Sequence, residues 1–272
     1  MTKPENNRLV RTFAELRAAG SKTLVPFITA GYPDLPTTEA LLGEFEARGV
    51  RICELGVPFS DPIADGPVIQ ASYTEALAAG IDSDGIFKTV RSYRNAGGEM
   101  ALAAMVSYSI IYRHGVEDYL QSAADAGFDA FIVPDLPLDE AAEFESQAAA
   151  RGLCNVMLIA PTTPPDRRLE IAGHSRGFIY YISVAGITGE RDGLPEETIR
   201  TVAELRKHTD TPVCVGFGIS NAETVAHVCR VADGAIVGSA IVHRIEDNKD
   251  APRKKLAKQI GEFVSELLAP VL

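Results

Sequence analysis

Glu54 is the residue of this sequence best suited to acid–base chemistry. It interrupts an otherwise apolar, strand-like run, ICELGVPF, at residues 52–59. Its side chain must point either into the mouth of a barrel or into a layer of packed helices, and both places are costly for an unpaired carboxylate. Removal from water should raise its pKa enough for one carboxyl group to donate and accept a proton near neutral pH. The alternative is that Glu54 only forms an ion pair with an arginine or a lysine.

Two long polar segments rich in Gly and Pro follow strand-like runs. The first, residues 58–81, continues from the run that contains Glu54, and the second is GITGERDGLP at residues 186–195. Segments of this kind in a compact domain are typically binding loops or lids. Within the first segment, Asp61 precedes Pro62 and suits an Asx-type turn.

The elements that must position these residues alternate regularly along the chain. Short apolar runs rich in β-branched residues are each followed by a segment with helical spacing, which is typical of βα units. Eight units predict one (β/α)8 barrel domain over residues 1–272, with an extra helix at residues 7–20 that covers its bottom. A doubly wound open sheet is the alternative, because alternation alone does not prove closure. The predicted strands are residues 23–31, 51–59, 101–108, 128–135, 153–161, 178–186, 211–219 and 234–242.

Gly-containing turns end the last three predicted strands. They are Thr188-Gly189, residues 216–218 and Gly238-Ser239. Barrel enzymes build their sites at the C-terminal ends of the strands, and many bind phosphate between the late loops and the N-terminus of a short extra helix. We therefore predict a phosphate site here, although any one of these glycines could serve only a turn geometry.

Composition and charge exclude several functions. Asp and Glu outnumber Lys and Arg by 37 to 26, for a net charge of -11, and no basic run offsets this charge. A nucleic-acid partner is therefore not expected. No stretch approaches the ~18 apolar residues of a membrane span and the N-terminus has no apolar signal core, so we expect a cytoplasmic location. The five histidines and four cysteines have no metal-ligand spacing, and no metal site is predicted.

The segment ELGVPFSDPIADGPVIQ, residues 54–70, resembles the signature of the tryptophan synthase alpha chain family. The resemblance extends over nearly the whole chain and implies the same barrel, with no cofactor bound by this chain itself. The other matching segments are PFITAG (26–31), AGITGERDGLP (185–195), GFGIS (216–220) and GSAIV (238–242).

This resemblance implies a reaction, the retro-aldol cleavage of indole-3-glycerol phosphate to indole and glyceraldehyde 3-phosphate. The Glu of the ELG motif is the family's general acid and base, which corresponds to Glu54. The Asp of the ADGP motif binds the indole nitrogen, which corresponds to Asp65. Cleavage needs C3 of the indole protonated and the neighbouring hydroxyl deprotonated, and a carboxylate at the ring N–H favours the positive charge that develops there.

The resemblance also implies residues that bind substrate and order the loops. Thr188 in the lid would order the catalytic loop through a bond to Asp65, and Asp61 would contact a partner subunit or order its own loop. The implied substrate contacts are Gly189, Gly218, Gly238 and Ser239 for the phosphate, and Phe27, Tyr180 and Phe217 for the indole ring.

The implied partner is a tryptophan synthase β chain that contains pyridoxal phosphate, in an α2β2 complex. The sequence departs from the family near the partner-facing loops. Ser107 and Ser109 occupy the usual Tyr and Asn positions after the third strand, and Val184 stands where a longer residue is common. These changes do not touch Glu54 or Asp65, but they leave open a free-standing lyase that works without a β chain.

Two functions of other classes also stay open on sequence alone. The chain could be a regulatory, partner-binding subunit with little chemistry of its own, and retention of both carboxylates argues against this. It could instead be an isomerase or epimerase of a sugar phosphate, but epimerases often use metal ligands of a kind that is missing from this sequence.

Overall fold

Eight parallel strands form a closed barrel in a computed structural model, which describes residues 7–62, 65–183, 195–216 and 218–272. Each strand pairs with its neighbour in the chain, and β1 pairs with β8 to close the barrel. The predicted (β/α)8 barrel is confirmed, and the open sheet is excluded. The strands are β1 (Thr23–Thr29), β2 (Ile52–Gly56), β3 (Ala101–Met105), β4 (Ala130–Ile132), β5 (Cys154–Ile159), β6 (Ile179–Ile182), β7 (Val213–Gly216) and β8 (Gly234–Val237).

Within the described ranges, helices surround the barrel and follow the strands in the chain. None of these helices is both long and apolar enough to cross a membrane. They are α1 (Arg8–Ala19), α2 (Leu35–Ala47), α3 (Pro67–Ala78), α4 (Ser83–Asn95), α5 (Tyr108–His114), α6 (Val116–Ala126), α7 (Ala142–Ala150), α8 (Pro165–His174), α9 (Glu196–Leu205), α10 (Ala222–Cys229), α11 (Ser239–Asn248) and α12 (Arg253–Leu268).

The interior of the barrel is filled by alternate residues of the strands. Successive side chains of a strand point alternately into the barrel and toward the helices. Both sides are shielded from water, so the strands are apolar throughout. The strand register places Ile52 beside Ala101 and Glu54 beside Ala103, both facing inward. The inward-facing cluster includes Val25, Ile52, Ala103, Ala130, Val156, Phe178, Tyr180, Cys214 and Ile236.

Helix α1 closes the bottom of the barrel, as predicted. Leu9, Phe13 and Leu16 lie on one face of this helix and pack against the inward-facing side chains. The ring centroids of Phe13 and Phe178 are 5.8 Å apart. The bottom is therefore sealed by apolar contacts, and only the opposite end, where the strands finish, can admit a substrate.

Asn7 fixes both the start of α1 and its position on the barrel. Its Oδ1 accepts hydrogen bonds from the backbone N–H groups of Leu9 (2.9 Å) and Val10 (3.3 Å), which caps the helix. Its Nδ2 donates to the carbonyl oxygens of Asp129 (2.7 Å) and Gly152 (2.8 Å). These two residues follow the C-terminal ends of α6 and α7. One side chain thus joins the helix to the loops beneath β4 and β5.

We expect Asn7→Ala to cost more stability than the loss of an ordinary helix cap. A cap is worth about 1 kcal/mol, and here two carbonyl oxygens also lose their donor, so the total should be about 2–3 kcal/mol. Urea denaturation of the variant measures this loss. Asn221→Ala is the matched control, because Asn221 caps α10 through Thr224 N (2.9 Å) and makes no such second anchor in the described chain. Equal losses in the two variants would contradict the anchoring role of Asn7.

Several predicted strands are longer than the strands in the structure. The run at residues 128–135 contributes only Ala130–Ile132, and the run at 234–242 divides into β8 and the first turn of α11. A short apolar run does not distinguish a strand from a buried helix by its periodicity. Ile241 and Val242 are fully buried in the helix layer, so their apolar character reflects packing and not strand structure.

The segment at residues 58–81, which we expected to be one long loop, contains helix α3 from Pro67 onward. A proline in the first helical turn is a normal start signal, since its missing N–H is not needed there and its φ is already helical. The polar segment between β2 and α3 is therefore shorter than the sequence indicated, and α3 fixes its far end. Helix α5, directly after β3, was also missed, because a seven-residue helix leaves little periodic signal.

Candidate active site

Glu54 lies on β2 with its side chain inside the barrel. The register places it between Phe27 of β1 and Ala103 of β3, both of which are apolar. Its side chain is 0% exposed, and neither carboxyl oxygen has a hydrogen-bond partner in the described chain. The alternative of a structural ion pair with an arginine or lysine is therefore wrong for the described residues.

Burial gives Glu54 an unusual proton affinity. Loss of water, with a second contribution from the negative charge of Asp65, raises the pKa of Glu54 to about 8. Burial also raises the pKa of Asp65, to about 6. At pH 7 the first carboxyl group is therefore mostly protonated and the second mostly ionised. Two carboxyl groups with separated pKa values are the usual arrangement of a general acid beside a fixed negative charge.

Asp65 is held at the start of α3 by backbone contacts on both sides. Its N–H donates to Pro62 O at 3.1 Å. The side chain of Gln70, on the first turn of α3, donates to the carbonyl oxygens of Pro62 (3.1 Å) and Asp65 (2.8 Å). These bonds hold the backbone of Asp65 against the first turn of α3. They bring Asp65 close enough to Glu54 for its charge to affect the pKa of Glu54.

Asp61, in the same segment, is exposed and points elsewhere. Its Oδ2 accepts a hydrogen bond from the Ser60 hydroxyl at 2.7 Å. The structure therefore does not bring Asp61 together with Glu54. The bond between Ser60 and Asp61 is compatible with a role of Asp61 in ordering its own loop. Asp65, in contrast, is half-buried.

Phe27 and Tyr180 line the barrel mouth on either side of the carboxyl pair. Phe27 is 5% exposed, and its ring lies against Gly56 and within 3.3 Å of where a Cβ at Gly238 would stand. The Tyr180 hydroxyl would be 2.5 Å from a Cβ at Gly216. Glycine at the ends of β2, β7 and β8 thus leaves room for these rings, and any larger residue would collide with them.

Gly238 and Ser239 lie where β8 ends and α11 begins. No side chain in the described part of the chain caps this helix. Its first backbone hydrogen bonds are those of Ile241 N and Val242 N to Gly238 O, at 2.8 and 3.0 Å. The N–H groups before them have no hydrogen-bond acceptor among the described residues, and such groups at a helix start can bind an anion. Gly218, after β7, has a φ of 76°, a left-handed conformation that favours glycine.

Four residues singled out in the sequence lie outside the described part of the chain. They are Val184, Thr188 and Gly189 after β6, and Phe217 after β7. Their assigned roles therefore stay predictions.

The substituted turn after β3 has its own polar network. The Ser107 hydroxyl donates to Asp135 Oδ2 at 2.6 Å, and Tyr108 N donates to Asp135 Oδ1 at 2.7 Å. Ser109 also hydrogen bonds to Ser107, at 2.7 Å between the hydroxyls. Asp135 follows β4, so this network joins two neighbouring loops at the barrel mouth. The two serines therefore order this turn through hydrogen bonds to each other and to Asp135.

Sequence reasoning missed Tyr73 as a site residue. Tyr73 is 3% exposed, and its hydroxyl would lie 2.6 Å from a Cβ at Gly56. Tyr73 can be found from the sequence only if α3 is recognised as a helix. A helix that starts at Pro67 places Tyr73 two turns after Gly66, on the same face. That face is the one adjacent to Asp65.

Sequence comparisons show which protein family this chain belongs to. The sequence model of the family described as Tryptophan synthase alpha chain matches residues 13–269. The chain is 44% identical over 264 residues to the tryptophan synthase alpha chain of Rhodopirellula baltica, which covers 94% of this chain and 95% of the relative. It is also 44% identical to the alpha chain of Chloroflexus aggregans, with 97% of both chains covered.

Solved structures agree with these relatives. The structure of tryptophan synthase subunit alpha from Legionella pneumophila is similar with a TM-score of 0.89 and 34% identity, over 97% of this chain and 98% of that one. An aminoacrylate-bound structure of tryptophan synthase from M. tuberculosis gives a TM-score of 0.85 and 29% identity, over 98% and 100%. The chain belongs to the tryptophan synthase alpha chain family, the lyases that cleave indole-3-glycerol phosphate in tryptophan biosynthesis.

Proposed function

We propose that Glu54 and Asp65 divide the chemistry of this cleavage between them. Glu54 is the general acid and base, and Asp65 supplies a fixed negative charge at the indole nitrogen. The observation that carries this proposal is the state of Glu54, fully buried, without a hydrogen-bond partner in the described chain and with a pKa of about 8 beside a second carboxyl group. A fold gains nothing in stability from such a group, and perturbed carboxyl groups of this kind concentrate at catalytic sites.

The proton of Glu54 serves the first step. Neutral Glu54 donates it to C3 of the indole, and the ring takes up a positive charge that is centred on its nitrogen. The carboxylate of Asp65, at the ring N–H, lowers the energy of this cation without any rearrangement. Its lower pKa, about 6, keeps it ionised while Glu54 is still protonated.

The second step uses the carboxylate that Glu54 has become. It removes the proton of the hydroxyl on the carbon bonded to C3, and a carbonyl group forms as the carbon–carbon bond breaks. The electron pair of that bond returns to the ring and neutralises its charge. Indole and glyceraldehyde 3-phosphate result, and Glu54 is protonated again for the next cycle. One carboxyl group therefore serves both proton transfers.

The remaining predicted residues bind the two ends of the substrate. The indole ring would lie between Phe27 and Tyr180, with Phe217 as a third contact. The phosphate would lie at the start of α11, against the N–H groups that follow Gly238 and near the left-handed turn at Gly218. The Phe27 ring adjoins both Gly56, on the strand that bears Glu54, and Gly238, at the proposed phosphate site. It therefore lies between the binding sites proposed for the indole ring and for the phosphate. Phosphate contacts are assigned to Gly189, Gly218, Gly238 and Ser239.

The β chain is the proposed partner, in a cytoplasmic α2β2 complex in which the β chain holds pyridoxal phosphate. Support comes from the similar M. tuberculosis structures, which are described as tryptophan synthase and not as a lone subunit. Asp61, exposed near the barrel mouth, would contact the partner or order its loop, and Thr188 would order the lid through Asp65. A rise in indole release when a β chain is added tests this pairing, and no change would favour the free-standing lyase.

The proposed division of labour predicts a bell-shaped pH profile of kcat/KM. Activity needs Asp65 ionised, which is lost as the pH falls below about 6, and Glu54 protonated, which is lost as the pH rises above about 8. The maximum should lie near pH 7. Indole release measured from pH 5 to pH 10 checks this expectation. A profile that keeps rising up to pH 10 would show that Glu54 does not act first as an acid.

A further inference from the structure

Tyr73 brings a phenol hydroxyl to the strand that bears Glu54. A Cβ at Gly56 would stand 2.6 Å from this hydroxyl, and Gly56 follows Glu54 by two residues, so both positions share one face of β2. Positions two residues apart in a strand are roughly 7 Å apart. The negative charges of Asp65 and Glu54 both act on the Tyr73 phenol, so the hydroxyl lies near the carboxyl pair.

The position of Tyr73 is fixed by its neighbour in the sequence. The Ser72 hydroxyl lies 2.6 Å from that of Thr29, the last residue of β1, and donates to Ile69 O at 2.7 Å. Both Ser72 and Thr29 are 1% exposed. This buried contact holds α3 against the barrel mouth. The Tyr73 ring therefore enters the site from a fixed backbone and not from a movable loop.

The reaction creates a need for a hydrogen-bond donor at Glu54. Between the two proton transfers Glu54 is an ionised carboxylate, in a place where water does not reach it and no described residue hydrogen bonds to it. An ionised group in such a place is strongly disfavoured unless a donor is at hand. Burial and the charges of Asp65 and Glu54 hold the pKa of the Tyr73 phenol well above its ordinary value, so it remains a donor throughout.

Tyr180 also faces the carboxyl pair, and burial and the charges of Glu54 and Asp65 raise the pKa of its phenol as well. Its hydroxyl adjoins Gly216 at the end of β7, whereas the Tyr73 hydroxyl adjoins the end of β2 itself. Tyr180 is also one of the proposed contacts of the indole ring. With the Tyr180 hydroxyl engaged at the substrate, Tyr73 is the phenol that remains available to Glu54.

We propose that Tyr73 is a positioning residue for the reaction, and that its hydroxyl donates a hydrogen bond to the Glu54 carboxylate formed between the two proton transfers. The inference rests on the proposed role of Glu54 as acid and base. It assigns Tyr73 to a proton-transfer step and not to the binding of substrate.

Tyr73→Phe removes the hydroxyl and keeps the ring. We expect kcat for indole release to fall about ten- to hundredfold, the value of one hydrogen bond to a charged group, while KM stays within about twofold. The carboxylate of Glu54 loses a stabilising donor, so its pKa should rise and the basic limb of the kcat profile should move to higher pH, with the acid limb unchanged. A merely structural role would not move one limb alone.

Two further variants make the outcome interpretable. Tyr119→Phe removes another buried phenol hydroxyl, one that hydrogen bonds to Ser83 at 3.2 Å in the helix layer, and should leave kcat and both limbs unchanged. Glu54→Gln tests the proposed function itself. An inactive Glu54→Gln enzyme together with wild-type kcat in Tyr73→Phe overturns only the role of Tyr73. Movement of the acid limb instead of the basic limb also overturns it, because the hydroxyl would then serve Asp65. An active Glu54→Gln enzyme overturns the function on which the inference rests.

Discussion

Glu54→Gln should lower the turnover of indole-3-glycerol phosphate by at least the 10²- to 10⁴-fold typical of losing a general acid or base. The amide has nearly the same size and shape, but it cannot donate a proton to C3 or accept one from the hydroxyl. Both chemical steps are lost at once, so kcat should fall while KM changes little. Steady-state indole release gives both constants.

The folded state should tolerate this substitution well. The folded pKa of Glu54, about 8, is above the ordinary value of 4.5. The folded protein therefore keeps a proton that the unfolded chain releases, and the wild type loses stability as the pH rises from about 4.5 to about 8. Glutamine has no such proton. A urea midpoint at pH 7 no lower than that of the wild type would separate a catalytic defect from a folding defect.

A structural carboxylate provides the matched control for Glu54. Glu46 accepts hydrogen bonds from the Tyr93 hydroxyl (2.7 Å) and from the backbone N–H groups of Glu99 (2.7 Å) and Met100 (3.1 Å) beneath the barrel. Glu46→Gln should reduce the free energy of unfolding and leave kcat near that of the wild type. A similar loss of kcat in both variants would mean that replacing any structural carboxylate has this effect.

Asp65→Asn should lower kcat by about 10²- to 10³-fold, the usual cost of removing one electrostatic stabiliser of a transition state. It should also change the pH profile in two ways. The acid limb disappears, because no carboxylate needs to be ionised. The basic limb moves to lower pH, because the negative charge of Asp65 contributes to the raised pKa of Glu54. The pH dependence of kcat measures both changes.

Asp125→Asn controls for the loss of one negative charge. Asp125 is exposed on α6 and accepts from the side chain of Gln121 at 2.9 Å, a bond that an amide oxygen also accepts. Its kcat and pH profile should match those of the wild type. An Asp65→Asn enzyme that keeps an acid limb near pH 6 would show that another group is responsible for that limb.

The barrel could be predicted because its physical causes are local. Strands buried on both faces must be apolar, and eight such runs with helical segments between them have few other arrangements. Glu54 could be identified for the same reason, as a charged residue within an apolar run. The ends of the elements were less predictable, since Ile241 and Val242 are apolar for packing within a helix and not a strand. The assignment of residues 1–272 to one domain stays a prediction.

The chemistry of the site depends on contacts that sequence spacing does not specify. The pKa of Glu54 reflects complete burial and the nearby charge of Asp65, whose backbone the Gln70 side chain holds at the start of α3. Tyr73 was missed because α3 was interpreted as loop, and only the helix brings its hydroxyl to Gly56. Motif resemblance could supply residue roles, but not the proton affinities on which those roles depend.

The most direct test of the catalytic role of Glu54 is indole release from indole-3-glycerol phosphate by the wild type and by Glu54→Gln, each with and without a tryptophan synthase β chain. We expect measurable release by the wild type, a further rise with the β chain, and a loss of at least about a hundredfold in the variant under both conditions. Wild-type rates in a folded Glu54→Gln enzyme would contradict the assignment of the proton transfers to Glu54.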